Sequence, residues 1–278
     1  MLFDVRPVET QTGATNAIFD SALTDLVACM ERTAKKGMLN LIKELDGGMW
    51  GVKEIIAKAA LNFARVKNRS RKLPTVAVVG EIYVRLDPFA NDFVIEKLEA
   101  RGLRVRLAPF TEWIEYATYL SDKRVLEGRT VNGDDRFANA LSGLVQKTTY
   151  RVLYGLCEHA LGWPVRGKIS EAIEASKPYL HGELEGEAAL TLGGPILEYR
   201  RGYIEGVVAV GPHECMPCKI AESQYAKAAQ DCGISYICIS LNGDSIDTEI
   251  LDSFAYDIRE QHKHRRNSFS RYQPDQPS

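Results

Sequence analysis

The residues best suited to chemistry are two cysteines three positions apart, Cys215-Met216-Pro217-Cys218, preceded by His213-Glu214. Hydropathy predicts a strand closing on Gly211 and a helix opening at about Cys218. The pair then lies at a helix N-terminus, where unpaired amides and the helix dipole favour a thiolate. Thiolates ligate soft metals and iron–sulfur clusters, and a pair so spaced can also act as a redox dithiol of the thioredoxin kind. Such a dithiol would normally follow the first strand of its own fold, whereas this pair follows a third strand. Structural zinc wants four ligands, and His213, Cys215 and Cys218 make three at best. Burial as a small hydrophobe is the remaining reading of any free cysteine. It is expected for Cys29, Cys157, Cys232 and Cys238, which fall in helix or strand patterns. Cys215 and Cys218 are the candidate metal ligands, with the redox-dithiol and buried-thiol readings left open by the spacing.

Two further loops carry candidates. Gly80 to Asp92 contains Glu81 and Arg85, readable as a site ion pair or as an exposed loop pair. It also contains Asn91-Asp92, readable as a helix cap or as a binding element. Asn242-Gly243-Asp244 adds Asn242 as a candidate binding residue. His159 and His181 read as surface or core histidines, and His262 and His264 as part of a basic helix end. Gly162 to Lys168 matches the first seven positions of a phosphate-cradling loop. Ile169 stands where a magnesium-binding hydroxyl belongs, so the segment reads as a turn between helices.

The elements that position these loops follow from periodicity. Asn16 to about Lys72 reads as three helices broken at Gly37 and Gly47-Gly48, the middle one over Leu39 to Leu45. From Pro74 a β-α-β grammar begins, with strands Thr75 to Gly80 and Leu103 to Ala108 around a helix from Asp92 to Arg101. Residues 111 to 163 are expected to be helical apart from Gly128 to Asp135, with a further helix over Lys168 to Tyr179. A helix from Gly186 to Gly202, a strand from Gly206 to Gly211, a helix to Asp231, a strand from Ile234 to Leu241 and a helix from Thr248 to His264 complete the pattern. The first strand is apolar on both faces, as at the centre of a covered parallel sheet. The expected fold is α/β: a Rossmann-like open parallel sheet of about four strands, order 2-1-3-4, with helices on both faces. Its expected parts are an N-terminal helical region over 1–73, the α/β domain over 74–266 with a helical insertion at about 111–180, and a disordered tail over 267–278. In that order the three loops lie outside the carboxyl ends of the strands, where such sheets bind ligands.

Composition narrows the function classes. The 278 residues carry 35 basic and 37 acidic side chains, a net charge of −2, which argues against a nucleic-acid partner. No apolar run approaches the roughly 18–20 residues of a membrane span, and the N-terminus lacks the apolar core of a secretory signal. A cytoplasmic location is expected.

Val78-Val79-Gly80-Glu81-Ile82-Tyr83-Val84-Arg85, then Asp87-Pro88-Phe89-Ala90-Asn91, and later His213-Glu214-Cys215-Met216-Pro217, resemble the 2-hydroxyacyl-CoA dehydratase superfamily. The closest branch is the activase-associated, dehydratase D-component-like group. Gly182 to Gly194, centred on Gly186-Glu187-Ala188, also resembles that group, and the likeness covers roughly residues 74–262. It implies an iron–sulfur cluster, of the 4Fe-4S type, held in a cleft between Rossmann-like domains. A separate ATP-hydrolysing activator supplies a low-potential electron, and a 2-hydroxyacyl-CoA thioester or another small molecule is the substrate. On this resemblance Cys215 is a cluster thiolate. Glu81, Arg85 and Asn91 line the cleft, and His213 and Glu214 serve proton transfer or support the ligands. Cys218 stands where relatives commonly have glycine, and the region before Pro74 offers only Cys29. The expected function is thus a component of an ATP-dependent reductase or dehydratase-type system, with the missing cluster ligands supplied by a second dehydratase-like subunit or with this polypeptide corresponding to the C-terminal part of a larger system. The alternative is a non-catalytic or assembly module of the same fold that binds no cluster by itself.

Overall fold

The computed structural model describes residues 1–34, 49–128, 134–182 and 184–270. Its contacts divide the chain into two units, Met1–Lys72 with Lys123–Arg166, and Leu73–Asp122 with Gly167–Ser278.

The first unit opens with α1 (Leu2–Val5), α2 (Ala14–Ala34) and α3 (Val52–Val66). In α3 the i, i+1, i+4 spacing of Ala59, Ala60 and Phe63 makes one apolar face, and all three are buried. Phe63 and Ala59 share a core with Val5 and Leu161, flanked by Ile18 and Trp163. Lys67 Nζ donates to Asp4 at 2.7 Å and to the Leu161 carbonyl at 3.2 Å, so the charge brought near this core is paired. The middle helix expected over Leu39 to Leu45 lies outside the described residues.

The second unit is built on a parallel sheet. After β1 (Thr75–Gly80) come α4 (Ile82–Leu86), α5 (Val94–Ala100) and β2 (Arg104–Leu107). Next are α6 (Phe110–Leu126) and α7 (Asp134–Leu161), the latter within the first unit. Then follow α8 (Ile169–Ser176), α9 (Ala188–Arg200), β3 (Gly206–Pro212), α10 (Met216–Cys232), β4 (Ser235–Leu241) and α11 (Thr248–Ser270). The strand order is β2-β1-β3-β4 and every pairing is parallel, the α/β Rossmann-like arrangement expected.

All six residues of β1 are buried because helices cover both faces of the sheet. Ala77, Val79 and Val207 face α9 and α10, in a core with Leu192, Ile196 and Tyr225. The alternate residues face the other way. There a β-carbon on Gly206 would lie 2.5 Å from Ile258 Cδ1 of α11, so that glycine lets the helix approach. Each fully buried aliphatic side chain of this kind contributes about 1.5–3 kcal/mol.

Three local expectations change. Where an irregular loop was expected after β1, residues 82–86 form the short helix α4. The next helix starts at Val94 rather than Asp92, since Asp92 and Phe93 both take left-handed backbone, φ 51° and 54°. The last helix passes His264 and runs to Ser270, and the rest of the expected tail, 271–278, lies outside the described residues. Among the described residues no helix is long and apolar enough to cross a membrane.

Candidate functional site at the switch point of the sheet

β1 and β3 are neighbours whose crossovers lead to opposite edges of the sheet, β1 to β2 and β3 to β4. Their carboxyl ends therefore flank the point where strand order reverses, the usual ligand crevice of such sheets. Chain from both ends meets there. The Glu81 amide donates to the Val210 carbonyl at 3.0 Å, and a β-carbon built on Gly211 would lie 3.9 Å from Glu81 Cβ and 2.5 Å from Cys218 Sγ. Glu81 and Cys218, 137 positions apart, thus both lie beside Gly211.

Gly80 makes the β1 exit possible. Its φ is 114°, and a β-carbon there would lie 1.8 Å from the Val210 oxygen, a position only glycine can occupy. Glu81 then caps α4, its carboxylate accepting from the Val84 amide at 2.7 Å. Arg85, on the same turn, is 5% exposed. Its Nη1 donates to the Gly80 carbonyl at 3.0 Å and its Nη2 to the Pro109 carbonyl at 3.4 Å. Nε is buried without a hydrogen-bond partner among the described residues. Burial lowers the affinity of this guanidinium for its proton, and the charges of Glu112, Glu187, Glu81 and Cys218 act in the opposite direction. Of the two readings of Glu81 and Arg85, the exposed loop pair does not hold: Arg85 is a buried cation among several carboxylates. The reason is that α4 folds the Arg85 stem back under the strand end.

Across the crevice, Glu214 takes a left-handed turn, φ 60°, and Cys215 is the N-cap of α10, with Pro217 in the first turn. Among the described residues no side chain caps this helix, so its first amides and dipole are available to an anion or a thiolate. One turn on, Cys218 lies against Gly211. Burial, and after it the neighbouring Cys215 thiol, pushes the Cys218 thiol well above its ordinary value. The Glu81 amide reaches the same sulfur and opposes that shift. Beside Cys218 a small cavity runs between β3, β4 and the helices, lined by Thr191, Gly211, Glu222, Cys238 and Ser240. Burial pushes the Cys238 thiol up to about 12.

The remaining predicted residues separate from this cluster in character. Asn91 is 2% exposed, and its side chain is used within its own loop. Its amide donates to the Val84 and Arg85 carbonyls at 3.0 and 3.3 Å, and its oxygen accepts from the Val94 amide at 3.2 Å. It holds the loop that buries Arg85. Asn242 is exposed and bonds Asp244 on both sides of a tight turn, at 2.8 and 3.0 Å. The His213 and Glu214 side chains, 63% and 84% exposed, lie 3.8 Å apart at the surface.

Sequence reasoning missed Glu187 and Glu112. Glu187 precedes α9, and burial raises its carboxyl above the usual range, opposed by Arg85 and assisted by Glu81. Its only sequence signal was its place in Gly186-Glu187-Ala188, and Glu112 read as an ordinary polar helix residue.

As a donor set, the two cysteines offer soft sulfur to a cluster or metal. Among the described residues no group of three or more histidine, cysteine or acidic side chains is placed to hold a metal ion. A four-thiolate cluster would find half its ligands here. Compared with family models, curated proteins and solved structures, the chain matches none.

Proposed function

We propose that this chain is a cytoplasmic, iron–sulfur-associated component of an ATP-dependent low-potential reductase or 2-hydroxyacyl-CoA dehydratase-type system, contributing Cys215 and Cys218 to a cluster shared with a second subunit. The observation that carries the reading is the meeting of these two sulfurs at an uncapped helix N-terminus, on the crevice between β1 and β3. A helix N-terminus stabilises thiolate ligands, and a crevice open at the strand ends leaves one side for a partner's sulfurs. Bound there, a cluster would supply one-electron reduction. The chain's own contribution is to hold two ligands in place, with the buried Arg85 cation beside Cys218 offsetting anionic charge. The electron donor in this reading is an ATP-hydrolysing activator protein, and the substrate is an acyl-CoA or another small molecule.

The test is anaerobic reconstitution with iron and sulfide, reading bound iron and visible absorbance per chain. Iron and colour retained in Cys157→Ala but lost in Cys215→Ala support the reading. A chain that takes up no iron, with or without a co-purified partner, or one whose iron survives Cys215→Ala and Cys218→Ala together, overturns it.

A further inference from the structure

We propose that Cys215 and Cys218 form a reversible disulfide and that the cluster-free chain exchanges it with low-molecular-weight disulfides. This goes beyond the cluster reading and does not rest on it, although the two chemistries compete for the same sulfurs.

The geometry is that of a pair poised to close. All six cysteines are free thiols. Cys215 and Cys218 are the N-cap and third helical residue of α10, one turn apart. Helical rise puts Cα atoms at that spacing about 5 Å apart, inside the window of about 4.4–6.8 Å that a disulfide spans. Both side chains belong to the first turn of the same helix, where no regular element separates them. Cys238, on β4, lines the cavity beside Cys218 but is not on the same helix turn, and the other three cysteines are placed elsewhere. The Cys29 sulfur donates to the Trp50 carbonyl and the Cys232 sulfur to the Ala228 carbonyl, while Cys157 is buried in the other unit.

Both cysteines are half-buried, and their different settings assign the order of reaction. Cys215 is the N-cap residue and lies between exposed Glu214 and Met216, the latter 71% exposed. Cys218 is the inner sulfur, set against Gly211 beneath the strand end. In the first step the Cys215 thiolate attacks one sulfur of R–S–S–R. The S–S bond of the reagent breaks, one thiolate leaves and takes a proton from solvent, and a mixed disulfide remains on Cys215. In the second step Cys218 gives its proton to solvent and attacks the Cys215 sulfur, expelling the second thiolate. Two protein thiols are oxidised to one disulfide while the reagent is reduced to two thiols. The reverse sequence reduces the pair.

The experiment uses the full-length, iron-free chain with glutathione disulfide as probe, quenched by alkylation and read by intact mass and peptide mapping. Wild type is expected to lose two of six alkylatable thiols, with the disulfide mapping to Cys215–Cys218 and no glutathione retained. Cys218→Ser is expected to stop at one glutathione on Cys215, and Cys215→Ser to react at least tenfold more slowly. Retention of all six thiols, glutathione persisting on wild-type Cys215, or a disulfide mapping elsewhere overturns the proposal. Because the readout is thiol mass rather than iron, either this inference or the cluster reading can fail alone.

Discussion

The Cys218 sulfur occupies space that only a glycine at position 211 leaves open: a β-carbon on Gly211 would come within 2.5 Å of Sγ and 3.1 Å of Cβ. The last turn of β3 and the first turn of α10 are therefore shaped around one thiol. Gly211→Ala must move that thiol, and overpacking of this kind costs about 1–3 kcal/mol. The expected outcome in urea unfolding is a lower midpoint with an unchanged slope, accompanied by faster alkylation of Cys218. An unchanged midpoint and unchanged alkylation would show that the sulfur is not held there.

Gly80 is constrained on two counts, by its left-handed φ and by the Val210 oxygen 1.8 Å from any β-carbon. Gly80→Ala combines backbone strain of about 1–3 kcal/mol with a clash against the neighbouring strand's backbone. It is expected to be the most destabilising single substitution at the crevice, roughly 2–6 kcal/mol on the same two scales. Amide hydrogen exchange at Glu81, whose N–H bonds Val210, reports the damage locally.

At the opposite end of the sheet, Glu205 accepts from the Thr75 amide at 2.7 Å and meets His262 Nδ1 at 2.8 Å, with both side chains less than a fifth exposed. Glu205→Ala strands two largely buried donors, each costing about 1–3 kcal/mol. Chemical denaturation at neutral pH is expected to show a combined loss in that range or above, and Glu205→Gln, which keeps an acceptor, a smaller one. Equal losses for the two variants would contradict this account.

Glu187 makes a pH prediction. Burial raises its folded-state carboxyl above the unfolded value, so ionising it disfavours the folded chain. That penalty is absent below the unfolded carboxyl range, near pH 4, and grows as pH rises through the folded value. Glu187→Gln should therefore match wild type in stability near pH 4 and exceed it at pH 7. Urea midpoints at the two pH values test this, and a variant less stable than wild type at pH 7 would reverse the sign.

The strands and their order were legible because their information is local. Val76 to Val79 is apolar on both faces, Gly80 and Pro212 punctuate strand ends, and alternation of short apolar runs with amphipathic segments leaves few topologies. The cysteine pair was equally legible, since its spacing and its place before a helix are matters of adjacent residues. The starts of the helices were less so. Asn91 and Asp92 carry a capping signature, yet with Asn91 donating to the Val84 and Arg85 carbonyls and accepting from the Val94 amide, the loop runs two residues further before α5 begins.

What the sequence by itself determined is thus the covered parallel sheet, its order, and two sulfurs at the edge where strand order reverses. Only the tertiary structure decided what surrounds them. Arg85 read either as part of a site ion pair or of an exposed loop pair and is buried, Glu187 carried no role and bears on it, and His262 looked like one of a basic run but meets a glutamate 57 positions away. Periodicity states which face of an element is apolar, because that is set within a few residues. Which distant charge is pressed against that face depends on how the elements pack, and at this crevice that packing sets the charge around Cys218.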